Sequence, residues 1–286
     1  VTPNRNGTTN GNIIALDGTF VGGAAVSVSQ SGVVITNGTA TSNSSGQYAF
    51  SSPPGFSPGT YDLTVSKPGF VSQIVKGFTV DLGKDAPNQN FVLQAQPTLP
   101  AGWSTITLPY NFYGADINTT FSGAAVKWYN PATQTYLNPG DAGFPNPAPG
   151  IAYWMNPSGT PNVNIPGTPN SPKTPATVVI HKGWNLLGNP FQDPISWVLN
   201  NLIVQRSDNN QQASVTVAVA QGWTLDFAWG GPVGKTLIYD KSVVPGVTNT
   251  IPGYGAFWFF SNVEGTLSIA PPAITSRSAT TAPGNN

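Results

Sequence analysis

Catalysis near neutral pH draws on histidine, cysteine, paired carboxylates or a bound metal. This chain supplies few of them. His181 is the only histidine in 286 residues, and there is no cysteine. Thiol chemistry, disulfides and zinc-finger ligation are therefore excluded, as is a histidine-cluster metal site. His181 stands beside Lys182 just before Gly183-Trp184, with no G-x-S-x-G pattern in the chain. It reads as a solvated residue at a strand end rather than the base of a triad. Glycoside hydrolysis needs two carboxyl groups held about 5 to 10 Å apart. Glu264 is the sole glutamate, in an Asn-Val-Glu-Gly turn, and the aspartates are spread thinly. No catalytic residue, no cofactor and no enzymatic activity are expected, with a hydrolase as the remote alternative.

Three smaller groups of residues merit attention. In DLGKDAPNQN, Asp81, Asp85 and Asn88 are weak calcium candidates, because their spacing departs from an EF-hand loop. In QGWTLDFAWGG, Asp226 lies between Trp223 and Trp229. Three readings stand for the two tryptophans: a ligand-binding patch, an inter-subunit contact, or a cap on the core. The acid reads as an outward strand residue. Asn6, Asn37, Asn43 and Asn118 each begin an N-x-S/T triplet, the acceptor pattern for N-glycosylation.

The elements that would hold these residues are short strands. Gly, Pro, Asn, Ser and Thr punctuate runs of Val, Ile, Thr and aromatics, the pattern of an all-β chain with long loops. Hydrophobic residues make up 39% of the chain, enough to fill a core. Charged residues make up only 8%, and the formal net charge is zero. Such a chain lacks the clustered Lys and Arg that nucleic acid or anionic lipid requires. No apolar run is long enough to span a membrane as a helix. The start at Val1 reads as a mature terminus after signal-peptide removal, which places the protein outside the cell or on its surface. A neutral surface of hydroxyls and amides suits packing against like copies, because no charge need be desolvated.

Residues 1–10 form a polar tail, and the patterned chain begins at Gly11. A turn at Asp17-Gly18 and another at Ser45-Gly46 separate short strands. Thr60, Asp62, Thr64 and Ser66 then alternate with Tyr61, Leu63 and Val65. This order, G-x-I, D-G-T, G-A-A-V-S-V, T-S-N-S-S-G-Q-Y-A-F, P-G-T-Y-D-L-T-V-S-K-P-G-F and N-F-V-L, resembles the carboxypeptidase-regulatory-like domain. The resemblance implies a prealbumin-like, seven-stranded β-sandwich over residues 11–95 that acts as a spacer or interaction module without catalysis. Tyr48, Phe50 and Tyr61 would fill its core, with Gly46 and Gly59 at turns.

A Pro-containing linker, 96–101, follows. The remainder reads as two homologous β units, 102–170 and 171–272, forming a barrel or a sandwich. Gly102-Trp103 through Tyr110 returns as Gly183-Trp184 through Phe191, and Pro149 through Trp154 returns as Pro252 through Trp258. The GWNLLGNP and PGYGAFW blocks resemble a β repeat of bacterial cell-surface and secreted proteins. Because Trp103, Trp154, Trp184 and Trp258 recur at equivalent positions, all four are expected in the core. Residues 194–203 show helical spacing, and a second short turn is expected after Ala115-Asp116-Ile117. Residues 273–286 form a Ser/Thr-rich tail without the alternation of a donor strand. The whole reads as a non-enzymatic extracellular structural protein, a self-assembling subunit of a filament, sheath or layer whose partners are copies of itself. The alternative is an adhesive module that binds glycans.

Overall fold

The computed structural model describes residues 7–50, 56–82, 84, 86, 88–112, 121, 124–157, 167–231, 234–240 and 247–273. Asp85, Asn6, Asn118, the turn after Ala115 and most of both tails lie outside them. The chain divides into two compact units: 1–96 with 163–168 and 275–286, and 97–162 with 169–274.

Unit 1 is a sandwich of seven strands in two sheets. Strands β1 (Asn10–Ala15), β2 (Ala25–Gln30), β3 (Val33–Thr41), β4 (Gln47–Ala49), β5 (Gly59–Ser66), β6 (Gln73–Val80) and β7 (Phe91–Leu93) form the sheets β4-β1-β7 and β3-β2-β5-β6. The alternation along β5 does what period two requires: Tyr61, Leu63 and Val65 are buried while their neighbours turn outward. Tyr48, Phe50 and Tyr61 are all in the core, joined by Phe56, Phe78 and Phe91. The Asp17 carboxylate accepts hydrogen bonds from the Thr19 N–H at 3.0 Å and hydroxyl at 2.7 Å, fixing the expected turn. Gly46 is at φ +71, and a Cβ there would lie 2.3 Å from the Ile13 carbonyl oxygen. Gly59, expected at a turn, instead opens β5.

Unit 2 is built of open, largely antiparallel sheets rather than a barrel, with one parallel pair between Thr236–Tyr239 and Val247–Thr248. In one, Ser104–Thr107 pairs with Ala152–Pro157, which pairs with Ala124–Asn130. In another, Gly183–Gly188 pairs with Ala256–Ser261, which pairs in turn with Phe227–Gly230. The two central pairs match position for position. Trp154 faces Thr105, and Trp258 faces Leu186, two residues beyond Trp103 and Trp184 respectively. Thr107 N–H donates to Tyr254 O at 3.1 Å, and Gly188 N–H donates to Gly150 O at 2.9 Å. These junction bonds join equivalent residues of the two pairs in reciprocal fashion. Ala152, Ala256, Leu186 and Tyr129 fill the small core between them.

The larger core of unit 2 gathers Phe191, Trp197, Leu202, Val204, Phe257, Phe259 and Leu267 under the sheet that joins Ala176–Ile180, Gly265–Ile269, Leu202–Arg206 and Gln212–Ser214. The helix expected over 194–203 is absent. A strand of two residues (Ile195–Ser196) and a 3₁₀ turn (Leu199–Asn201) occupy it, because Ile195 and Trp197 both enter the core from an extended chain. The one α-helix among the described residues is Val215–Ala220, despite its β-branched sequence. It buries Val215 and Ala218 on one side. Its end is fixed by Gly222 at φ +71, with Gly222 N–H bonded to Val219 O and Trp223 N–H to Ala218 O.

Candidate functional site

A strand in a sheet sends alternate side chains to opposite faces. In Gly183–Gly188, Phe227–Gly230 and Ala256–Ser261, the residues Leu187, Ala228, Phe257 and Phe259 enter the large core. The intervening residues Trp184, Phe227, Trp229, Trp258 and Phe260 therefore share the other face, and each stays partly exposed. Trp229 stands directly opposite Trp258, and Trp184 opposite Phe260. Trp184 and Phe260 meet edge to face at 5.2 Å between centroids, as do Phe227 and Trp229 at 6.1 Å. Tyr129 meets Trp258 at 4.8 Å with planes 74° apart.

Tyr129, Trp184, Trp229, Gly234 and Trp258 bound a groove of about 290 Å³ on this face. Its floor is braced by Gln134, held at φ +57. The Gln134 Oε1 accepts from the Tyr129 hydroxyl at 2.7 Å and from the Trp184 backbone N–H at 3.2 Å. Its amide nitrogen donates to the Trp184 carbonyl at 3.1 Å. Burial, with the neighbouring Tyr136 phenol behind it, pushes the Tyr129 phenol above its ordinary pKa.

The expectation that the four repeated tryptophans fill the core is corrected by this arrangement. Trp103 is 39% exposed, with the Lys127 ammonium over its ring at 5.6 Å. Trp154, Trp184 and Trp258 are half-buried. The reason is the two-faced sheet: a repeat preserves the face a residue takes, not its depth. The core tryptophans are Trp197 and Trp223.

The three residues of the QGWTLDFAWGG segment are separated. Trp223 follows the helix-ending Gly222 into the core, with the Arg206 guanidinium over its ring at 5.2 Å. Asp226 turns to Tyr239, whose phenol the carboxylate pushes above its ordinary pKa by accepting its hydrogen bond. The Asp226 carbonyl accepts from Trp197 Nε1 at 3.1 Å. Only Trp229 reaches the groove.

His181 is not simply solvated. Its Nδ1 is 2.7 Å from Glu264 Oε2, while Glu264 Oε1 accepts from the Lys182 N–H at 3.0 Å. The only histidine and the only glutamate thus close one end of a sheet. Ser207 donates its hydroxyl to the Glu264 carbonyl at 3.2 Å. Of the calcium candidates, Asp81 and Asn88 are exposed, and Asn88 borders a groove with Asn10, Asn12, Asn43 and Gln47. No group of three or more His, Asp or Glu residues is placed to hold a metal among the described residues. Asn37 is exposed at φ +59, and Asn43 is exposed with its Oδ1 accepting from the N–H groups of Ser45 and Gln47.

Unit 1 belongs to the class of two-sheet β-sandwiches. Residues 8–94 match the model of the carboxypeptidase regulatory-like domain, in agreement with the resemblance read from the N-terminal residues. No curated protein matches the chain. Among solved structures, a chain from a type II cohesin–X–dockerin complex of Acetivibrio cellulolyticus, an N-terminal interface mutant, is 18% identical with a TM-score of 0.24. The match covers 31% of this chain and 58% of that one. No helix among the described residues is long and apolar enough to cross a membrane.

Proposed function

We propose that this protein is a non-enzymatic extracellular structural subunit that joins copies of itself edge to edge. One observation carries the reading, the open edge of β3. Natural sheets blunt their edges with charge, proline, a bulge or a covering segment, since an unpaired row of N–H and C=O groups recruits other strands. The opposite edge of the same sheet is covered. Ile74 N–H donates to Gly167 O at 3.2 Å, and the Thr168 hydroxyl donates to Ile74 O at 2.6 Å. Among the described residues strand β3 is terminal in its sheet and reads VVITNGTAT without a charge or a proline; the bulge between Val34 and Thr39, where its pairing with β2 shifts register, leaves the open edge as two short stretches at its ends. The strand leaves Val33 70% and Val34 51% exposed.

Unit 2 offers a complementary edge. Ala176–Ile180 is also terminal, also uncharged, and leaves Val179 62% exposed. Pairing β3 of one copy with Ala176–Ile180 of the next is head to tail, and such contacts propagate an open filament instead of closing at a dimer. The neutral composition favours this, because stacked copies meet without like-charge repulsion. The family match over residues 8–94 fits a spacer or interaction module. The matched registers of Trp154 and Trp258 and the reciprocal junction bonds support descent of unit 2 from a duplicated β element. Electron microscopy of the full chain, with and without lysine at positions 33 and 34, tests the reading.

A further inference from the structure

We propose that the groove bounded by Tyr129, Trp184, Trp229, Gly234 and Trp258 binds a neutral polysaccharide chain. The proposal is independent of the assembly reading, since it rests on a different face. The chemistry of the walls selects the ligand. Indole rings present an electron-rich face, and the axial C–H groups of a pyranose are the matching weak donors. The same rings carry N–H donors, which normally find a partner when removed from water. Among the described residues, none of the indole N–H groups of Trp184, Trp229 and Trp258 donates to a protein acceptor. An apolar side chain from another protein would cover the rings and strand these donors, at the cost of an unmade hydrogen bond each. A sugar supplies both surfaces at once, C–H against the ring and hydroxyl oxygen for the N–H.

Gly234 keeps the groove open. It sits at φ +66, and a Cβ there would lie 2.9 Å from Nε1 of Trp258. Any side chain would press on the edge that carries this donor. Among the described residues no charged side chain lines the groove, so none of them would compensate an anionic sugar. The volume, about 290 Å³, stands at the small end of ligand clefts and suits a short stretch of chain rather than a protein domain.

The test is titration of the full chain with cellohexaose, xylohexaose and maltohexaose, and with hexagalacturonate as the charged probe, followed by tryptophan fluorescence and calorimetry. At least one uncharged oligosaccharide should bind saturably and hexagalacturonate should not. Trp229→Ala should weaken binding roughly tenfold or more, the order expected for one lost stacking ring. Trp229→Phe should retain most of it, and Trp103→Ala, away from the groove, should leave it unchanged. Gly234→Ala removes no ring yet should also weaken binding, and it serves if Trp229→Ala does not fold. Absence of saturable binding by all three uncharged oligosaccharides overturns the proposal. So does unchanged affinity in a folded Trp229→Ala, or self-association that Trp229→Ala abolishes.

Discussion

Trp229 lies directly across from Trp258 on neighbouring antiparallel strands, and both rings stand on the sheet face opposite the large core. Their surroundings differ. Trp258 packs on Tyr129 and against the small core of Ala152, Leu186 and Ala256. Trp229 borders the groove and meets Phe227. Full burial makes a Trp→Ala change cost about 3–5 kcal/mol. Both rings are half-buried, but only Trp258 packs against a core cluster, so Trp258→Ala should cost about 2 kcal/mol and Trp229→Ala under about 1 kcal/mol in urea denaturation followed by circular dichroism. Equal costs would contradict the division of roles between the two rings.

The junction in unit 2 makes a second prediction. A Cβ at position 188 would lie 2.1 Å from the Thr107 hydroxyl oxygen, which itself donates to Ile151 O at 2.7 Å. Gly188→Ala should destabilise by about 1–3 kcal/mol through overpacking. Adding Thr107→Gly removes both atoms in the way, the hydroxyl oxygen and the Cβ 2.4 Å from the new methyl, so the double variant should lose less than the sum of the two single ones. A thermal-denaturation double-mutant cycle with strict additivity would place the collision elsewhere.

Acid should weaken unit 2 in part through Glu264. The Lys182 backbone N–H first, and the His181 side chain after it, hold the Glu264 carboxyl below its ordinary value of 4.5. A carboxylate with a lowered folded pKa stabilises fully above its ordinary value, and that contribution fades as pH falls through the folded value. Stability measured from pH 6 downward should therefore fall less steeply in Glu264→Gln than in the native chain below about pH 4.5. The group is largely solvated, so the difference should stay well under about 1 kcal/mol. The Asp208 carboxyl, lowered by its hydrogen bond from Arg206, leaves a residual acid slope in the variant.

Unit 1 was legible where side chains alternate between core and water, as in Tyr61, Leu63 and Val65. Strand β3 was not, because Val33 and Val34 are both exposed and an edge with little to bury shows no period of two. The helix Val215–Ala220 was hidden by its β-branched residues; Gly222 and the burial of Trp223 impose it from outside the local sequence. In the 194–203 segment, spacing at three and four residues matched a helix although a partly extended chain delivers Ile195, Trp197 and Leu202 to the core. Repeated tryptophans announced equivalent positions, but which face of the sheet was covered depends on the neighbouring strands. Trp229 was visible in the sequence as a candidate; its partners Trp184, Trp258 and Tyr129 become neighbours only through strand pairing and tertiary packing.

Edge-to-edge assembly depends on the β3 edge. The most direct measurement is electron microscopy of the full chain at high concentration, native beside the Val33→Lys/Val34→Lys double variant, with monomer folding checked by circular dichroism. Lysine on an edge strand opposes pairing with another strand without disturbing a core to which these exposed side chains contribute little. Filaments are expected from the native chain, and dispersed, folded monomers from the variant. A native chain that stays monomeric, or filaments that persist unchanged with both lysines in place, would contradict edge-to-edge assembly.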